Sequence, residues 1–215
     1  MQANKATVDR NDSGARTLLR CGVVAGPFYL TVGVMQGILR PGFDFGRHPL
    51  SVLANGSLGW IQTANFLITG LMVIAAAMGV RRALEAKARG VTWSLAGYGA
   101  AMVAAAIFTA DPMDGFPPGT PEGPPTSIST TGLLHFVCGA LAFLCLAIGG
   151  FFAAGTMRRR HLQPLAGLSL ISGLVVFVGF FGGLALPFGI AGIWTAVVVG
   201  WVWLSALSLR LMRPI

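Results

Sequence analysis

The apolar residues of this 215-residue chain gather into five long charge-free stretches, separated by short clusters of charge, proline and glycine. Cys21–Leu39 lies between Arg20 and Arg40, and Leu58–Val80 stops at Arg81-Arg82. Val91–Ala110 runs to Asp111, and Gly132–Ala154 is soon followed by Arg158-Arg159-Arg160. Each is close to the ~20 residues that an α-helix needs to cross ~30 Å of hydrocarbon. The fifth, Leu162–Leu209, would be about 72 Å long as one helix at ~1.5 Å per residue. It must fold back, and Leu186-Pro187-Phe188-Gly189 supplies a turn. The pattern predicts an all-α, polytopic membrane protein, a bundle of six transmembrane helices. Its spans cover 21–39, 58–80, 91–110, 132–154, 162–185 and 190–209, after a flexible polar N-terminus over 1–17. The helices leave loops at 40–57 and 111–131.

Composition agrees with that pattern. Apolar residues make up 54% of the chain, charged residues only 10%, and the mean hydropathy is +0.73. A soluble domain carries about a quarter charged residues, so a soluble enzyme and a disordered chain are both excluded. The cations then give an orientation. Thirteen of the fifteen fall at the termini or in the segments after the second and fourth spans, leaving Arg40 and Arg47 opposite. By the positive-inside rule both termini are expected in the cytoplasm of a bacterial cell, with the chain in its inner membrane. The pI of about 10.7 therefore reflects topology and calls for no nucleic-acid partner. The first apolar run is too long for a signal peptide and is read as a retained helix. Cys21, Cys138 and Cys145 all fall within spans, as small residues easing helix packing.

The chemistry is one-sided. The last two spans hold no Asp, Glu, Lys, Arg or His, while polar residues cluster at the outer ends of the first four: Gln36, Arg40, Asp44, Arg47, His48, Asn55, Gln62, Asn65, Asp111, Asp114 and His135. Polar groups at membrane depth are costly and face a bundle interior. Asp44, Arg47 and His48 can form charge-assisted bonds, either to order the loop or to hold a ligand. Gln62 and Asn65 share a helix face and can bond a ligand or a neighbouring helix. The segment 111–125 holds six of the twelve prolines, so it cannot continue a helix and is expected to lie over the helix ends as a lid. Asp111 stands at the membrane boundary, the setting in which a carboxyl can serve as a proton donor. Thr130 and Thr131 can cap the fourth helix, and His135 lies one turn inside it, near the depth of Asp111. An Asp–His couple there could move a proton. Three or four convergent metal ligands are not apparent, so neither metal nor cofactor is expected.

The stretches Arg47-His-Pro-Leu-Ser51, Gly59-Trp60-Ile61-Gln62 with Asn65, Asp111-Pro112 with Asp114, and Gly132-Leu-Leu-His135 resemble a family of bacterial integral membrane proteins, domain of unknown function 998. The Asp-Gly-Phe-Pro-Pro-Gly loop is similar to that of its actinobacterial branch. The resemblance covers about residues 18–210 and implies six spans; it supplies no activity. Two functions remain open on the residues. One is an intramembrane acid–base enzyme (cyclase, isomerase or epoxide-opening type) acting without cofactor on an isoprenoid- or lipid-like substrate. There Asp111, Asp114 and His135 would be catalytic, and Arg47, His48, Asp44, Asn55, Trp60, Gln62 and Asn65 would bind substrate. The other is a non-enzymatic receptor, transporter or assembly partner that binds a lipid or another hydrophobic small molecule.

Overall fold

A computed structural model describes residues 2–84, 88–185 and 189–213. The described residues are helical apart from the connecting loops, with no strand and one isolated bridge between Met113 and Phe116. Helices α1 (Gln2–Leu39), α2 (Gly59–Leu84), α3 (Arg89–Ile107) and α4 (Thr130–Arg159) follow in order. Next comes α5 (Gln163–Phe177), which runs through a π-helical turn at Val178–Gly182 and a last turn at Gly183–Ala185. Helix α6 (Gly189–Leu211) closes the chain. Six segments are long and apolar enough to cross a membrane: Ser13–Leu39, Gly59–Leu84, Arg89–Ile107, Thr130–Arg159, Gln163–Gly182 and Gly189–Leu211. The protein is a multi-pass membrane protein.

Several boundaries differ from the sequence expectation for local reasons. The backbone is helical from Gln2, where a flexible segment was expected; no proline interrupts the polar N-terminal residues, and the helix of the first span continues back through them. Helix α3 stops at Ile107, short of Ala110, as the chain prepares for Pro112. Helix α4 extends to Arg159, so that Arg158 and Arg159 occupy its last turn, where cations favour the negative end of the helix dipole. Pro164 starts α5 at a position where its missing N–H costs nothing. The turn expected at Leu186, Pro187 and Phe188 lies outside the described residues.

Each helix packs against its neighbours in sequence, and α6 returns to pack on α5 and α1, so the six form a closed ring. Glycines set the closest approaches. A Cβ at Gly70 of α2 would come within 2.7 Å of the Gly99 carbonyl of α3, and a Cβ at Gly150 of α4 within 2.9 Å of Gly173 of α5. Van der Waals contact of this kind drives helix association in lipid, where hydrophobic burial supplies little. Pro27 interrupts the hydrogen-bond ladder of α1, and the carbonyl it frees, that of Val23, accepts from the Ser205 hydroxyl of α6 at 3.1 Å. The break is thus satisfied by a neighbouring helix.

With six spans, the two ends of the described residues lie on one face of the bundle. The loops 40–58 and 108–129 cover the other, called the loop face below. The first of them dips back inward as a 3-10 turn, Leu50–Ala54, with Leu50, Val52 and Leu53 buried.

Candidate functional site

The ring encloses a cavity of about 560 Å³ beneath the loop face. Its walls come from one face of each contributing helix: Tyr98, Met102 and Ala105 of α3; His135, Gly139, Ala142 and Phe143 of α4; Ile190, Ile193, Val197 and Trp201 of α6. These spacings of three and four residues are those of a single helical face. Tyr29 of α1 and Phe66 of α2 complete the wall, and Pro49–Val52 together with Met113 close it on the loop face. The lining is overwhelmingly apolar. Ile128, Leu133 and Leu184 of this lining are also among the exposed apolar residues of the molecule.

The aromatic residues form a connected set. The Trp201 ring packs against both Tyr29 and Tyr98, with centroids 5.4 Å and 5.5 Å away. Phe66 joins Tyr29 at 5.8 Å and His135 at 5.9 Å. The phenol of Tyr98 and the indole N–H of Trp201 have no protein hydrogen-bond partner among the described residues, nor are they among the polar atoms sealed from all access. The Tyr29 hydroxyl approaches the Gln62 amide, whose Nε2 has no partner of good geometry.

His135 and Asp111 both line this cavity, but they do not form the expected couple. The His135 Nδ1 lies 2.8 Å from the Phe108 carbonyl at the end of α3, with the Ala105 carbonyl alongside. Because a carbonyl only accepts, Nδ1 carries the proton. Asp111 Oδ2 accepts the Ser129 backbone N–H at 3.0 Å, at the positive end of the α4 dipole. Each group satisfies a helix terminus of opposite partial charge, and no hydrogen bond or ion pair joins the two among the described residues. The cap of α4 is also corrected: Ser129, not Thr130 or Thr131, is the N-cap, its Oγ accepting from the Gly132 N–H at 2.9 Å. A Cβ at Gly132 would meet the Asp111 carboxylate at 2.0 Å and displace it.

The remaining expected site residues belong to a cap over the loop face. Phe116, fully buried, is packed by Phe43, by His48 and by the Arg40 guanidinium 4.8 Å above its ring. Arg40 donates to the carbonyls of Leu53 and Asn55, and its burial pushes its pKa down from the usual arginine value. His48 is equally closed: Nδ1 accepts from the Asp44 N–H at 2.9 Å, so Nε2–H donates to the Asp114 carbonyl at 3.1 Å. Asp44 shapes the turn by accepting from the Gly46 N–H. The Asn55 side chain donates back to the Val52 carbonyl. Arg47 pairs with Glu122 and, at 3.6 Å, with Asp114, and these carboxylates raise its pKa. Asp114 therefore faces the surface cation, away from the cavity lining, on a left-handed backbone with φ of 51°.

Gln62 and Asn65 hydrogen-bond to the neighbouring helix α1. Gln36 of α1 donates to Gln62 Oε1 at 2.9 Å, and Asn65 donates to that oxygen and to the Tyr29 backbone carbonyl. Thr69 donates to Asn65 Oδ1. Trp60 is 67% exposed and stands outside the bundle at the first turn of α2, as membrane-interface tryptophans do.

A family model described as a protein of unknown function, DUF998, matches residues 23–210. The chain belongs to the DUF998 family. No curated protein and no solved structure matches it. The matched region of this DUF998 protein includes all six spans' cavity-lining residues and both loops of the cap. Tyr29, Tyr98 and Trp201 escaped the sequence reading, although a signal was available. The chain has only two tyrosines, and both sit well inside spans, away from the interfaces where tyrosine concentrates.

Proposed function

We propose that this DUF998 protein is an intramembrane binding protein for a hydrophobic, lipid- or isoprenoid-like small molecule. The observation that carries the reading is the apolar cavity, about 560 Å³, within the ~300–1,000 Å³ range of small-molecule sites. The exposed apolar residues in its lining, Ile128, Leu133 and Leu184, support entry from the lipid side. The concentration of cations at the termini and on the segments after α2 and α4 supports cytoplasmic ends in a bacterial inner membrane. The cavity then belongs to the outer leaflet.

An acid–base enzyme of cyclase, isomerase or epoxide-opening type is the second reading, favoured by the shared position of Asp111 and His135 on the cavity wall. Three contacts favour binding over that chemistry. The Nδ1–H of His135 is held by Phe108, one Asp111 oxygen by the Ser129 N–H and the charge of Asp114 by Arg47, so no Asp–His couple forms among the described residues; the enzyme reading then rests on His135 Nε2, the ring nitrogen left as an acceptor.

The test is a comparison of molecules retained through purification, read by mass spectrometry. Gly139 lines the cavity, and a Cβ there meets nothing within 4 Å, so Gly139→Phe has room at its attachment point for a ring that occupies the space. The wild type and Asp111→Asn should retain a hydrophobic molecule that Gly139→Phe lacks. Identical retention in all three would overturn the binding reading. A changed chemical product in Asp111→Asn would favour the enzyme.

A further inference from the structure

We infer that the cavity selects a ligand with an uncharged oxygen head, an alcohol or a carbonyl, seated against Tyr98 and Trp201. This inference rests on the binding reading above and adds the chemistry of the head group.

In a bilayer, an apolar tail gains little by exchanging lipid for an apolar cavity, because lipid tails are as apolar as leucine. Discrimination must come from the few polar groups on the wall. Tyr98 is 6% exposed and Trp201 2%. Both line the cavity, and each has a donor with no protein partner among the described residues. A buried donor left unpaired is costly, and an oxygen presented from the cavity relieves that cost. Tyr29 also packs against the Trp201 ring. Its hydroxyl is approached by Gln62 Nε2, which is sealed from the cavity.

Charge narrows the class further. Among the described residues, no lysine or arginine lines the cavity, and its one carboxylate, Asp111, is engaged with the Ser129 N–H. A phosphate or carboxylate head would be buried without a cation, at a cost that normally forces neutralisation or exclusion. An ammonium head could attract the aromatic faces and donate to the unprotonated Nε2 of His135 on the wall, but it would leave the donors of Tyr98 and Trp201 unpaired. Moreover, those rings are packed against one another at tilts of 39° and 53°, leaving no open box between them. An oxygen that accepts without charge meets both conditions.

The experiment uses the full chain in nanodiscs and four probes with one shared tail: geranylgeraniol, geranylgeranyl phosphate, geranylgeranylamine and the hydrocarbon without a head group. Competition against radiolabelled geranylgeraniol gives relative affinities. The alcohol should bind about tenfold more tightly than the hydrocarbon, as expected from one or two satisfied buried donors. It should also bind more tightly than the phosphate and the amine. Tyr98→Phe keeps the ring and removes the donor, so it should lower alcohol affinity several-fold and leave hydrocarbon affinity unchanged. Thermal unfolding of Tyr98→Phe checks that the fold is retained. Preference for the phosphate or the amine, or equal binding of alcohol and hydrocarbon, would overturn this inference while leaving a hydrophobic site in place. Failure of every probe, the hydrocarbon included, would overturn the binding reading and this inference together.

Discussion

His135 closes the end of α3 from the neighbouring helix: its Nδ1–H donates to the Phe108 carbonyl at 2.8 Å. Helices end with carbonyls that lack an intrahelical partner, and in a membrane-embedded bundle such a group must find a partner within the protein. A histidine that looks catalytic by its depth is therefore also a structural tie between α3 and α4. The two roles make different demands on substitution.

His135→Ala removes the donor and enlarges the cavity, and should cost about 1–3 kcal/mol of stability. His135→Asn places an amide N–H where Nδ1 stands and should recover part of that loss. Thermal unfolding in detergent reads both. If His135 served only as an acid–base group, the alanine variant would unfold at the wild-type temperature.

The cap over the loop face should depend on packing far more than on its visible ion pairs. Phe116→Ala removes a fully buried ring from contact with Phe43, His48 and Arg40, a class of change that costs about 3–5 kcal/mol. Arg47 and Glu122 are exposed, and exposed pairs are weak and screened by salt. Limited proteolysis of the 111–129 segment should accelerate strongly in Phe116→Ala and change little in Arg47→Ala. Equal acceleration in the two would show that the ion pair holds the cap.

The division between what could and could not be read from the sequence follows the same physics. Spans are legible because the membrane imposes length and charge rules on each segment separately, and Arg81-Arg82 or Asp111 punctuates them directly. The grouping of Asp111 and His135 on one cavity was legible too, since chain topology brings the ends of α3 and α4 to one face. Their lack of mutual contact was not. It depends on two backbone groups, the Phe108 carbonyl and the Ser129 N–H, that become available only where these helices happen to end. His48 and Arg40 were legible as polar but not as buried, because the aromatic ring that covers them, Phe116, lies far along the chain in the other loop. Tyr98 and Trp201 carried no motif; their importance arises from opposing faces of α3 and α6.

Two exposed tryptophans should report the membrane boundaries. Trp60 begins α2 at the loop face, and Trp93 lies near the start of α3 at the opposite face, 67% and 69% exposed respectively. Each is placed as a membrane-interface aromatic is. Variants that retain only one of the two exposed indoles should lose fluorescence to quenchers carried near the lipid head groups more than to quenchers carried at the ends of the acyl chains. A stronger response to deep quenchers at either position would mean that the spans sit at a different depth.

The final expectation concerns the join between the first and last helices. Pro27 has no N–H to offer Val23, and Ser205 of α6 donates to that carbonyl instead, at 3.1 Å. The hydroxyl should therefore matter because the proline is there. Alone, Ser205→Ala should destabilise by about the 0.6 kcal/mol typical of hydrogen bonds between membrane helices. In a Pro27→Ala background, the restored backbone N–H at position 27 can bond Val23 within α1, and removing the Ser205 hydroxyl should then cost almost nothing. A double-mutant cycle on unfolding free energies isolates this coupling. Equal costs in the two backgrounds would show that the serine contributes through packing alone, and that α1 carries its broken bond without help from α6.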